Sequence, residues 1–167
     1  MTSAGRALVL LSGGMDYSVL VHFVAGRLRC SLILTLSYDY GQRHIRVLDC
    51  AAFQSALAGA MSHVVVNLTA VSRLIARGNC GEADVPDLSA LAPDEIDQPP
   101  SYVPNRNMML LSVAAAYAEA ERVRNIYYGA QAQDEYGHLD CTSAFPERIN
   151  TALALNRRES VTIHAPF

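Results

Sequence analysis

The chain contains no lysine: all 13 of its basic residues are arginine, set against 16 carboxylates, for a formal net charge of −3. That balance excludes the broad positive field that draws a protein to nucleic acid or to an anionic membrane. Arginines scattered through a nearly neutral chain suit local anion contacts, unless the missing lysine only reflects genomic base composition. Cys30, Cys50, Cys80 and Cys141 are dispersed with no C-x-x-C pair, so a zinc knuckle is not encoded. Scattered thiols fit a reducing compartment better than a disulfide framework, and a cytoplasmic protein is expected. No segment reaches the roughly 18 to 20 apolar residues that span a bilayer. No secretory signal opens the chain either: residues 1–6 are polar and the apolar run that follows is short. The two common nucleotide signatures, G-x-x-x-x-G-K-[ST] and G-x-G-x-x-G, are both missing.

What is present is one domain's worth of sequence, residues 1–167, half of it apolar and so able to bury a core. Apolar runs of strand length at 7–11, 31–36, 63–67, 125–128 and 161–164 alternate with helical patterns at 16–28, 42–57, 105–122 and 146–155. This rhythm predicts an α/β fold, a five-stranded parallel sheet with helices on both faces. The stretch 79–102 breaks the rhythm. It is acidic and proline-rich, and reads as a long mobile loop, either a lid or a plain insertion.

The junction "ALVLLSGGMDYSVLVHF" turns a buried strand into a helix through Ser12, Gly13 and Gly14. Such a turn leaves backbone N–H groups pointing outward, where the helix dipole adds partial positive charge. Glycines permit the turn's torsions and let a phosphate approach the backbone closely. Ser12 and Ser18 can donate hydroxyls. Asp16, in the first helical turn, can cap the helix or hold a Mg²⁺ that bridges phosphates.

The pattern Ser12-Gly13-Gly14-Met15-Asp16 resembles the PP-loop of ATP pyrophosphatases, with Tyr17 where that family usually has serine and Ser18 following. Three more stretches sharpen the likeness: "SYDYGQRH" (37–44), "YVPNRNMMLLSVAAAYAE" (102–119) and "YYGAQAQDEYGHLDC" (127–141). Together, and on to the terminal "IHAPF", they are similar to the QueC/ExsB branch, the 7-cyano-7-deazaguanine synthases. The resemblance implies an adenine nucleotide alpha hydrolase-like fold. It also implies an ATP-dependent ligase that adenylates 7-carboxy-7-deazaguanine and converts it with ammonia, through an amide, to the nitrile. The alternatives are an enzyme that stops at the amide or couples the acid to a protein or nucleic-acid amine, and a non-catalytic nucleotide-binding subunit.

For the site, the resemblance implies Asp16, Arg106 and Asp134 as catalytic residues, with Asp16 also holding Mg²⁺. Ser12, Gly13, Gly14, Met15, Asp16, Ser18, Gln42, Arg43 and Asn107 are expected to bind ATP. Tyr38, Tyr40, Asp134 and Asp140 are expected at the substrate. His138 departs from the family's "GYPDC", whereas Cys141 matches its "DC", although the chemistry needs no sulfur nucleophile. The family continues beyond "HAPF" into a four-cysteine zinc module, so zinc is not expected here, and a homodimer or other subunit contact is expected in its place. Tyr17 has two possible placements: packed on the sheet, which the intact remaining motifs favour, or inward, filling the space of a phosphate.

Overall fold

The computed structural model describes residues 5–42, 46–74, 103–130, 139–156 and 160–167. Five strands, β1 (Arg6–Leu10), β2 (Leu32–Asp39), β3 (Ser62–Asn67), β4 (Asn125–Tyr127) and β5 (Thr162–His164), form one parallel sheet in the order β3-β2-β1-β4-β5. The helices are α1 (Met15–Gly26), α2 (Arg46–Leu57), α3 (Thr69–Leu74), α4 (Arg106–Ala120) and α5 (Ala144–Leu153).

Period-two alternation along each strand explains why helices cover both faces. Ala7, Val9 and Leu11 join Ile33 on the face covered by α1 and α2, against Leu20, Val21, Val24 and Ala51. Leu8 and Leu10, with Leu34, Leu36 and Ile126, point the other way, against Leu111, Ala114, Ala115 and Ala118 of α4 and Ile149 of α5. The small residues of α4 recur at helical spacing, which lets that helix lie close to the sheet. The expected five-stranded parallel sheet with helices on both faces is therefore present.

Several boundaries differ from those the sequence pattern suggests. β2 does not stop at Leu36 but runs through Ser37 and Tyr38 to Asp39. The polar residues are accommodated because their hydroxyls find partners: Ser37 donates to the Leu11 carbonyl, and Tyr38 donates to the Leu110 carbonyl of α4 at 2.6 Å. The second helix begins at Arg46, so Gln42 belongs to the turn before it. The last helix starts two residues ahead of Pro146, whose missing N–H costs nothing in a first turn. The short helix α3 has no counterpart in the apolar periodicity. The expected loop 79–102 lies outside the described residues. Among the described residues no helix is long and apolar enough to cross a membrane.

A polar cluster sits between β2, β3 and α2. The Thr35 hydroxyl lies 2.7 Å from Ser55 Oγ and 2.8 Å from His63 Nδ1, and it donates to the Ser62 carbonyl at 3.1 Å. His63 Nε2 is buried without a partner among the described residues. Burial holds the His63 imidazole below its ordinary value of 6.5, and burial does the same to His164. Both rings are thus neutral in the fold at a pH where the unfolded chain already binds protons. Stability should be full above about pH 6.5 and decline as the pH falls below it. Thermal unfolding should give a lower Tm at pH 5.5 than at pH 7.5, with the His63 ring resonances titrating at a lower pH in the folded protein than in the unfolded chain. A Tm unchanged over this range would refute the assignment.

Candidate active site

β1 pairs with β2 on one side and β4 on the other, so the order of strands reverses at the β1–β4 boundary. In open parallel sheets a crevice opens there, at the carboxyl ends of the strands. The turn 12–14 leaves β1 at this point. Leu11 remains tied to β2, its N–H donating to the Leu36 carbonyl at 2.9 Å and its carbonyl accepting from Ser37. The chain then turns sharply, with Gly13 at φ +81°.

Gly13 is required twice over. Its φ belongs to the left-handed region, and a Cβ there would collide with the Val47 carbonyl oxygen and sit 3.1 Å from the Ala51 nitrogen. The turn is therefore packed directly against the first turns of α2. Gly14 occupies the N-cap of α1, and no side chain caps that helix. Among the described residues no side chain thus caps the first turn of α1, beside exposed Ser12 and Met15. That arrangement suits an anion. The Gly14 N–H donates to Ser12 Oγ at 3.3 Å, and the Ser18 hydroxyl donates back to the Gly14 carbonyl at 2.8 Å. Asp16 is half-buried in the first turn, where a carboxylate can ligate a hard cation. The described residues contain no group of three or more His, Cys, Asp or Glu that could form a metal cage. One carboxylate with phosphates as further ligands is the usual way Mg²⁺ is held, so the donor set fits that ion.

Across the crevice stands the start of α4. Asn105 takes a left-handed conformation, φ 54°, at the N-cap, and Arg106 and Asn107 follow half-buried in the first turn. The loop after β2 supplies Tyr40 and Gln42. Gln42 is engaged at both ends of its amide: Nε2 donates to the Tyr38 carbonyl at 3.2 Å and Oε1 accepts from the Tyr40 N–H at 3.0 Å. Both bonds serve to shape this turn. Tyr38 is buried, with its hydroxyl engaged by α4. Arg43, Asp134 and His138 lie outside the described residues. Asp140 is half-buried in a 3-10 turn, Leu139–Cys141, leading to α5, and Cys141 packs against the core beside it.

Tyr17 lies between these groups. Its ring rests on Gly129, so that a Cβ on Gly129 would stand 3.3 Å from the ring carbons. It touches the apolar clusters of both sheet faces. The ring therefore packs on the carboxyl end of β4 and not on the glycine turn. Its hydroxyl is pushed up to about 12, chiefly by burial; the Arg106 guanidinium pulls the other way, and Cys141 and Tyr40 add to the rise. The phenol consequently stays neutral and stands in the field of Arg106. Sequence reasoning passed over Tyr128 and Gly129. A glycine directly after a strand, beside two tyrosines, was the available signal.

The fit at Gly13 sets an expectation. Gly13→Ala should lower stability by roughly 2 to 4 kcal/mol, combining left-handed strain with a backbone collision that α2 must relieve. It should also weaken ATP binding. Denaturant unfolding and titration calorimetry would check both, and a variant with unaltered stability would mean that the turn is not clamped as described.

A protein-family model described as "Queuosine biosynthesis protein QueC" matches residues 6–167. Curated relatives include the 7-cyano-7-deazaguanine synthase of Marinomonas sp. (strain MWYL1), 36% identical over 97% of this chain and 72% of the relative. The 7-cyano-7-deazaguanine synthase 1 of Colwellia psychrerythraea is 33% identical over 98% of this chain and 73% of the relative. The enzyme of Hahella chejuensis is 34% identical over 97% and 68%. Among solved structures, an NH3-dependent NAD synthetase from Campylobacter jejuni superposes with a TM-score of 0.48 at 15% identity, covering 81% of this chain and 51% of that one. On the family match and these relatives, the chain belongs to the QueC family, whose curated members matched here are enzymes named 7-cyano-7-deazaguanine synthase.

Proposed function

We propose that the chain is an ATP-dependent carbon–nitrogen ligase acting on 7-carboxy-7-deazaguanine. The carboxylate attacks the α-phosphorus of ATP and expels pyrophosphate. Ammonia then displaces AMP to give the amide. A second activation of the amide oxygen, with loss of AMP and a proton, leaves the nitrile. The observation that carries this reading is the N-terminus of α1, which no side chain caps, at the strand-order reversal, with Arg106 in the first turn of α4 acting on the Tyr17 phenol.

Each residue then has a task set by its position. The N–H groups that follow Gly13 receive the departing phosphates, with the Ser12 hydroxyl at their edge. Asp16 would hold a Mg²⁺, which would supply positive charge to the phosphates when bound. Arg106, and Asn107 beside it, meet charge that grows as the α–β bridge opens. Tyr40 and Gln42 shape the wall after β2. Asp134 and Asp140 hold the substrate from the loop after β4, and Arg43 adds a cation at the entry to α2. The placement of Tyr17 over Gly129 leaves the glycine turn uncovered, which favours a working phosphate site over a non-catalytic subunit.

Replacement of Arg106 by lysine keeps the charge but loses the planar fork. Pyrophosphate release with 7-carboxy-7-deazaguanine should fall by roughly 10- to 1000-fold. Full activity in that variant would remove Arg106 from the reaction. Asp16→Ala should weaken binding of Mg·ATP in titration calorimetry while leaving the melting temperature nearly unchanged, because Gly14 and not Asp16 forms the cap. Unaltered affinity in a folded variant would mean that Asp16 holds no metal. Product mass separates nitrile from amide or conjugate.

A further inference from the structure

Tyr128 directly follows β4, the strand that borders the crevice. It is among the largest side chains fully buried in the molecule, 1% exposed, yet its hydroxyl has no hydrogen-bond partner among the described residues. Buried polar groups nearly always have a partner, because leaving one unpaired forfeits the water it gave up. An exception at a binding crevice asks what completes it.

The surroundings narrow the answer. Tyr128 precedes Gly129, the residue under the Tyr17 ring, so the two phenols are neighbours across the crevice floor. Cys141 packs on the cluster that contains Tyr128. Asp140, next in the chain to Cys141, acts on the Tyr128 phenol together with Tyr17, and all of them oppose its ionisation on top of burial. The phenol therefore keeps its proton and is a hydrogen-bond donor, whereas a nearby ionised carboxylate only accepts. A buried, unpaired phenol donor, with Cys141 packed on its cluster and Asp140 next to Cys141 in the chain, suits a heterocycle that carries a carbonyl beside an N–H.

We propose that Tyr128 is a specificity-determining residue, its hydroxyl donating to the ring carbonyl of a lactam-bearing, purine-like ligand while the Asp140 carboxylate accepts from the adjacent ring N–H. The proposal rests on the functional reading above and names the edge of the substrate that this site recognises. Tyr17, half-buried and seated on Gly129, packs beside it, while Tyr128 is held in the core.

Tyr128→Phe removes one oxygen and keeps the packing. Titration of the intact protein and of this variant with 7-carboxy-7-deazaguanine, and separately with Mg·ATP, tests the assignment alongside thermal melting. The variant should melt at or above the temperature of the unaltered protein, because an unpaired buried hydroxyl is removed. It should bind the acid at least tenfold more weakly, about 1.4 kcal/mol, and bind Mg·ATP within about twofold. Asp140→Asn should weaken the acid as well, since a neutral amide oxygen accepts from the ring N–H less strongly than a carboxylate does. Equal affinity for the acid in Tyr128→Phe would overturn the assignment and leave the functional reading standing. A lower melting temperature with both ligands weakened together would mark the hydroxyl as structural, and would also overturn it. Failure of the unaltered protein to bind the acid at all would overturn the functional reading, and this assignment with it.

Discussion

The absence of a side chain at Gly13 is the constraint from which the site follows. Because nothing projects from that Cα, the turn after β1 can press against the Val47 carbonyl and the backbone near Ala51. Helix α2 is thereby drawn up to the turn, and α1 must start at once, at Met15. An abrupt start leaves no residue to cap the first-turn N–H groups except Gly14, which has no side chain to do so. The open N-terminus of α1 is thus a by-product of close packing. Ser37 fixes the other end of the arrangement by closing the Leu11 carbonyl where the β1 ladder ends.

The second constraint is topological. Since β1 lies between β2 and β4, the loops leaving its two neighbours diverge to opposite sides, and the crevice opens between them. Each flanking element delivers chemistry of its own kind. The β1 turn brings backbone N–H groups, α4 brings Arg106, the β2 turn brings Tyr40, and the residues after β4 bring phenols and Asp140. On the proposed reading, the phosphate-binding and ring-binding groups are then separate sets of residues, which suits a reaction that must hold a nucleotide and a flat acid at once.

Much of this was legible in the sequence because parallel strands buried on both faces read as unbroken apolar runs, as at 7–11 and 31–36. The turn was legible as well, since two adjacent glycines at the end of a buried run mark a sharp change of chain direction. What stayed hidden depended on contacts distant in sequence. Ser37 and Tyr38 read as loop residues, since the groups that satisfy their hydroxyls, Leu11 and Leu110, lie far along the chain. Gln42 read as the first residue of a helix, because its two hydrogen bonds to the turn leave no periodic trace. Helix α3, at six residues, is too short to develop a pattern. Tyr128 read simply as the end of a strand; only packing makes its hydroxyl an unmatched donor.

Tyr17 shows how the two constraints meet. A bulky ring two residues into α1 has to lie either over the glycine turn or over the neighbouring strand end. The turn is closed to it on one side by α2, which Gly13 admits so near. The strand end is open, because Gly129 offers no Cβ and so gives the ring a flat seat. The ring takes that seat, and its hydroxyl arrives in the field of Arg106, where burial keeps it protonated. The loss of a small hydroxyl beside the phosphates is then a local matter, since backbone N–H groups supply most of that cradle. The ring's contacts fall on the other side of the crevice, at the carboxyl end of β4, over Gly129. On the proposed reading, a substitution in the glycine-turn motif thus bears mainly on the ring-binding side of the crevice, and selectivity for the acid, more than affinity for ATP, is the property that it tunes.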